Sequence, residues 1–257
     1  MRILLTNDDG IDAKGIQTLA NVLKEKYEVY ICAPIEQKSG YSHSVTYFHK
    51  ETYVEERKME GIKKAWAVDG TPADCAYFGI YAMMNEKPDL IISGINQGQN
   101  LAADIMYSGT IGAACEGVIA GIPAIAVSYC SYDDTNFLPS ARITEKMLPV
   151  YMQLEKKDFV LSVNVPKGDL EEIKGYKVTL PAKPRNFERK LVIKENENNS
   201  MYIAMGETLP EEKIEPIDNT DSYEVKRGFV SLTPIGLDQS KKDEKLNREM
   251  DELLSAL

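Results

Sequence analysis

The segment TNDDG places two adjacent carboxylates, Asp8 and Asp9, directly after the first short apolar run of the chain, Arg2–Thr6. Neighbouring like charges repel unless a cation or a proton compensates them. Two acids at such a position suit a hard divalent ion such as magnesium or manganese, which takes oxygen donors and keeps waters for a substrate. The competing reading is an acidic turn, because Asp9-Gly10 favours tight backbone geometry.

Three further loops carry polar groups of the same kind. APIEQKSGYSHS follows the second apolar run, and the Ser39 hydroxyl there is a candidate oxygen ligand, although a lone Ser-Gly is most often an ordinary turn. His43 lies nearby and could serve as acid or base, although a surface hydrogen-bonding role is the one expected for it. GINQGQN follows Leu90–Ser93, with Asn96 and Asn100 flanking Gly98 in what reads as a loop too polar for a core. Amide oxygens coordinate metal and amide NH2 groups donate to phosphate; the alternative is a self-capped Asn-Gly turn. YSGTIGAACEG sets Ser108, Gly109 and Thr110 before a helix of small residues. Backbone N–H groups at a helix N-terminus plus two hydroxyls make an anion pocket without Lys or Arg, where the plainer alternative is N-capping by Ser or Thr. Each loop alone is a modest signal, and the four together at one sheet edge are a strong one.

The elements that must position these loops read as strands at Arg2–Thr6, Glu28–Ala33, Ala65–Val68, Leu90–Ser93, Ala124–Ser128 and Phe159–Val165. Several lack polar alternation, as expected of strands covered on both faces. Helical patterns fall between them: Ile16, Leu19, Val22 and Leu23 share one face, Thr71-Pro72 opens a second helix, a third begins near Thr110, and a fourth is expected over about Ser140–Lys157. This alternation predicts an α/β fold with a doubly wound, mostly parallel sheet, whose strand C-termini face the ligand crevice. From about residue 175 the texture changes. LVIK and MYIAM on either side of ENENNS predict a protruding β-hairpin, and a final strand at Phe229–Leu232 precedes a C-terminal helix with Leu246, Met250, Leu253, Leu254 and Leu257 on one face. That stripe needs covering. The chain is thus expected to be one α/β domain over residues 1–257, with about 175–257 forming a hairpin and C-terminal extension for oligomerisation.

Composition narrows the function classes. The chain has 257 residues, and 30 basic against 40 acidic side chains give a formal net charge of -10. That argues against a binder of nucleic-acid duplexes or of anionic membranes, but not against a small anion held by local groups. The four cysteines, Cys32, Cys75, Cys115 and Cys130, have neither metal-finger nor redox spacing and read as buried free thiols. MRILLTNDD meets two acids too soon for a secretory signal, and Ile111–Ser128 is interrupted by Glu116, Gly121 and Pro123. A soluble cytoplasmic protein is expected.

Taken in order, TNDDG, AP followed by SG, VDGTPADC, PDLIISGINQGQN, YSGTIGAA and GIPAIAVS resemble the survival protein E family. LSVNVP and TDSYEVKRGFVSLTPI resemble its later motifs, so the likeness covers nearly the whole chain and is weakest between Lys167 and Asn219. The resemblance implies a Rossmann-like fold and a metal-dependent 5'/3'-nucleotidase acting on nucleoside monophosphates, with short polyphosphate as a further substrate of some members. Carried onto this sequence, it implies Asp8, Asp9, Ser39 and Asn96 as ligands of one divalent cation per subunit, magnesium or manganese. Ser108, Gly109 and Thr110 would then hold phosphate with Asn100 nearby, in a homodimer or homotetramer joined through the C-terminal extension.

The reaction expected is phosphate monoester hydrolysis by metal-activated water, with Asp8, or less readily Asp9, as proton acceptor, and an aspartyl-phosphate route is the main alternative. A phosphoacceptor signalling domain fits less well, because the later central strand offers Asn96 where an acceptor Asp is needed. A dinucleotide enzyme lacks its G-x-G-x-x-G after the first strand. A nucleotide-binding protein without turnover is the remaining alternative. Asp74, in VDGTPADC, is expected to support its helix's first turn rather than to act in catalysis.

Overall fold

The computed structural model describes residues 1–183, 189–195, 201–208 and 217–238. Nine strands form the main sheet: β1 (Arg2–Thr6), β2 (Glu28–Pro34), β3 (Val54–Arg57), β4 (Lys64–Val68), β5 (Leu90–Gln97), β6 (Ala124–Cys130), β7 (Phe159–Pro166), β8 (Tyr176–Val178) and β11 (Val230–Gly236). Their order is β3-β4-β2-β1-β5-β6-β7-β11-β8. Pairing is parallel except for β3 on β4 and β11 on β7. A separate antiparallel pair, β9 (Arg189–Glu195) and β10 (Met201–Thr208), is the expected hairpin, with Tyr202 opposite Lys194 and Ala204 opposite Val192. The C-terminal helix expected around Leu246–Leu257 lies outside the described residues.

Five α-helices are described: α1 (Lys14–Leu23), α2 (Pro72–Phe78), α3 (Gly109–Ile119), α4 (Leu138–Tyr151) and α5 (Asp221–Lys226). In β1 successive side chains leave opposite faces. Ile3 and Leu5 pack with Ile16, Leu19 and Leu23 of α1 and Leu148 of α4, whereas Leu4 packs with Cys75 of α2 on the other face. Ile111 and Ala114 of α3 cover Ala124, Ala126 and Val160 on that second face. The sheet is therefore doubly wound, and its central strands are apolar on both sides because both sides are covered. Each fully buried Ile or Leu of β1 contributes roughly 1.5–3 kcal/mol of apolar transfer. All four cysteines are free, three buried and Cys130 partly so. Among the described residues no helix is long and apolar enough to cross a membrane.

The order of connections matters for the site. From β1 the chain moves outward to β2 and β4, then returns to the other side of β1 as β5. The strand C-termini of β1 and β5 therefore flank a topological switch point, where an open α/β sheet leaves a crevice for ligand.

Two expectations are corrected. Asn96 lies within β5 rather than in a loop, paired with Ser128, while Gln97 pairs with Tyr129. The strand continues past Ser93 because the register shifts between Ser93 and Asn96. Gly94 permits this: its φ is +134°, and a Cβ there would lie 2.3 Å from the Val127 carbonyl oxygen. The fourth helix spans Leu138–Tyr151, not Ser140–Lys157. Pro139 starts it early, and Gln153 to Lys156 are exposed and have no core to meet. β3, β8 and α5 were not expected. They are short, and β3 and β8 lie at the sheet's edges.

Candidate active site

The loop after β1 is built around Asn7, which is fully buried. Its amide donates to the Gly10 carbonyl at 2.8 Å and accepts from the Gly10 N–H at 3.2 Å. This clamp closes the turn and fixes the two acids between its ends. Asp8 is only 4% exposed and accepts a 2.6 Å hydrogen bond from the Thr110 hydroxyl. Burial pushes its carboxyl from 3.8 up to about 6; the Thr110 hydroxyl pulls it down, and the charge of Asp9 pushes it up again. Asp9 is partly buried and accepts from the Gln97 N–H at 3.1 Å. Burial raises it too, against the pull of Gln97 and Gln37.

The other expected residues converge on the same crevice. The Lys38 N–H donates to the Asp8 carbonyl at 2.7 Å, which brings the loop after β2 alongside, and the Gln37 amide donates to the exposed Ser39 hydroxyl at 3.0 Å. Asn96 is buried and spends its amide NH2 on the Gly98 carbonyl at 2.9 Å. Among the described residues no donor meets its amide oxygen. Asn100 donates to the Ser128 hydroxyl at 2.8 Å and to the Thr110 hydroxyl at 3.5 Å. Ser108 N-caps α3, accepting from the Ile111 N–H at 3.1 Å. Gly109 sits directly against the acid: a Cβ there would be 2.9 Å from the Asp8 Cβ and 3.0 Å from the Pro72 Cγ. Gly109 and Thr110 thus meet Asp8 directly, Asn100 reaches Thr110, and Gln37 links Ser39 to Asp9, while Asn96 is next to the Gln97 N–H that meets Asp9 and Ser108 caps α3.

Beneath them the floor is polar. Thr6 and Ser93 are register partners in β1 and β5, and both hydroxyls are buried without a hydrogen-bond partner. Among the described residues, no Lys, Arg or His forms an ion pair with Asp8 or Asp9, and no group of three or more His, Cys, Asp or Glu side chains could hold a metal. One buried and one partly buried carboxylate, flanked by a neutral amide oxygen and a hydroxyl, fit a hard cation that keeps waters, and do not fit a thiolate- or imidazole-bound one.

Other residues support rather than line the crevice. Asp74 closes a capping box with Thr71 on α2 and accepts from the Thr46 N–H at 2.9 Å and the Thr46 hydroxyl at 2.6 Å. It therefore ties the long loop after Ser39 to the helix, in keeping with a supporting role. His43 pairs with Glu116 of α3 at 2.6 Å. Sequence reasoning missed Gln37, which touches both Asp9 and Ser39, and Asn164 of β7. Asn164 is fully buried, accepts from the Asn100 N–H at 2.9 Å and donates to the Asn100 carbonyl at 3.2 Å. The signal for it was a lone amide inside the apolar strand LSVNVP, since a buried polar group must find partners.

A family model described as Survival protein SurE matches residues 3–188, which include every residue of the crevice. The chain belongs to the SurE family. A 5'-nucleotidase SurE of Pelotomaculum thermopropionicum is 40% identical over 261 residues, covering 99% of this chain and 95% of the relative. One from Thermoanaerobacter sp. is 41% identical over 249 residues, covering 93% of each. The solved structure of the SurE protein from Aquifex aeolicus superposes with a TM-score of 0.82 at 35% identity, over 98% of this chain and 99% of that one. The Rossmann-like SurE architecture is therefore shared along the described chain.

Proposed function

We propose that this SurE-family chain is a metal-dependent 5'-nucleotidase that hydrolyses nucleoside monophosphates to nucleoside and phosphate. The observation that carries the reading is the carboxylate pair of buried Asp8 and partly buried Asp9, set without an ion-pair partner among the described residues beside the N-terminus of α3 at the switch point. The relatives' name, 5'-nucleotidase SurE, agrees with it. Asp8, Asp9, Ser39 and Asn96 would hold one divalent cation, magnesium or manganese. When bound, such an ion lowers the pKa of water and neutralises phosphoryl oxygens.

The chain's own groups do the rest. Ser108, Gly109 and Thr110 present the first turn of α3 to the phosphate, where N–H groups and the helix dipole favour negative charge. Asn100, held from below by Asn164, lies beside the phosphate and braces the Thr110 hydroxyl. Asp8 or Asp9 accepts a proton from the attacking water as the P–O ester bond breaks and the nucleoside oxygen leaves. The Asn7 clamp and the Gly109 contact keep the carboxylates from relaxing away from the helix.

The same reading extends to 3'-monophosphates and short polyphosphate, to a cytoplasmic setting that suits free thiols, and to a single domain that forms a homodimer or homotetramer through its C-terminal extension. The exposed Ile193 and Ile203 of the hairpin support the last point, because exposed apolar side chains on a two-stranded hairpin suit a contact surface. The test is phosphate release from a panel of 5'- and 3'-nucleoside monophosphates after EDTA and after manganese or magnesium is restored. Metal-restored release is expected; none with either metal, from folded protein, would leave a binding role.

A further inference from the structure

Past Asn100 the chain must turn toward Ser108, and one residue sets its path. Ala102 opens the short helical turn Ala102–Tyr107 that leads to α3, and its φ is +51°. A Cβ makes this left-handed conformation costly for an L residue, and alanine has no polar side chain with which to offset the cost. The other non-glycine residues with positive φ among the described residues, Ser42 and Asn219, both carry one.

What holds Ala102 in that shape lies 119 residues away in sequence. Asp221, fully buried at the start of α5, accepts the Ala102 N–H at 2.8 Å through one carboxylate oxygen. Its other oxygen accepts the Ala182 N–H at 2.9 Å and the Ser222 N–H at 2.6 Å. A buried charge is expensive unless it is hydrogen-bonded, and this one is committed to backbone from three separate segments. Asn164 grips the same connection two residues earlier, on the Asn100 backbone. The Asn100 amide then reaches the Thr110 hydroxyl at 3.5 Å, and that hydroxyl meets Asp8 at 2.6 Å.

We infer that Asp221 is a positioning residue of the reaction: by holding Ala102 it sets where Asn100 and the first turn of α3 lie relative to Asp8. The inference rests on the nucleotidase reading and adds to it a residue whose hydrogen bonds go to none of the groups named for metal or phosphate. A carboxylate that only started α5 and tied down Ala182 would need one oxygen, the one shared by the Ser222 and Ala182 N–H groups. The second oxygen is spent on the connection between Asn100 and Ser108. Strain kept in place by a buried partner is the mark of a backbone whose shape is used.

The test uses the full chain loaded with manganese and AMP as substrate. Asp221→Asn keeps the shape but replaces one accepting oxygen with an NH2 that only donates. With the remaining oxygen kept by Ala182 and Ser222, the Ala102 N–H loses its acceptor. In the folded variant kcat should fall by about 10- to 10²-fold through misplacement, with KM within about threefold of wild type. Ala102→Gly removes the penalty on positive φ, so in that background Asp221→Asn should cost only about threefold in kcat. Wild-type kcat in folded Asp221→Asn would overturn the inference. So would an equal loss with and without Ala102→Gly, which would leave Asp221 a support of α5 alone. If Asp221→Asn does not fold, Ala102→Val decides, because a β-branched residue resists positive φ while Asp221 stays intact; the same loss of kcat is expected, and unaltered kcat would overturn the inference. Wild-type protein that releases no phosphate from AMP would instead defeat the nucleotidase reading itself, and the inference with it.

Discussion

The Thr110 hydroxyl donates to Asp8 across 2.6 Å, joining the loop after β1 to the first turn of α3 although 102 residues separate them. Both residues are buried, so the bond forms where water does not compete well. It orients one carboxylate oxygen and lowers the proton affinity that burial has raised. Thr110→Val keeps the shape and removes the donor. Turnover of AMP should fall by about 10²-fold, the usual cost of one preorganised donor, while Thr110→Ser should restore most of it. Steady-state kinetics on the pair decide the matter, and equal activity of the Val and Ser variants would show that the hydroxyl does nothing for the reaction.

Burial, opposed by Thr110 and reinforced by the charge of Asp9, pushes Asp8 from 3.8 to about 6. Between those values the folded chain keeps a proton that the unfolded chain has released. Stability of the metal-free protein should therefore fall as pH rises from about 4 to about 6, and stay lower above that. Asp8→Asn cannot ionise and still accepts the Thr110 hydrogen bond, so in EDTA it should melt higher than wild type at neutral pH and lose this part of the pH slope. Thermal melts of both proteins across that window provide the check; identical slopes would mean that Asp8 does not carry its charge into a buried site.

Gly109 packs directly against Asp8. An alanine Cβ would meet the Asp8 Cβ at 2.9 Å and the Asp8 Oδ2 at 3.1 Å, so Asp8 or the start of α3 must move. Gly109→Ala should reduce turnover by about 10²-fold through misplacement of the carboxylate, with the cooperative unfolding transition retained. Activity near wild type would show that the position of Asp8 relative to α3 is not critical.

Much of this was legible in the chain because polar residues interrupt apolar runs at the places where strands end. TNDDG, the Ser39 loop, GINQGQN and YSGT each follow such a run or open a helix, and short-range pattern suffices to find them. The extension of β5 through Asn96 was not legible, since it depends on Gly94 fitting under the Val127 carbonyl of a neighbouring strand. Asn164 and Gln37 were missed for a related reason. Their roles come from partners that only the folded sheet brings near, Asn100 across 64 residues and Asp9 from the next strand's loop.

The most direct measurement of the account is phosphate release from AMP by wild type and Asp8→Asn, each stripped with EDTA and then titrated with manganese. Wild-type release should be absent after stripping and return with the metal, while Asp8→Asn, still folded, should remain lower by about 10²–10⁴-fold at every manganese concentration. Release by the stripped wild type, or near-wild-type release by Asp8→Asn, would contradict the assignment of the chemistry to a cation held by these carboxylates.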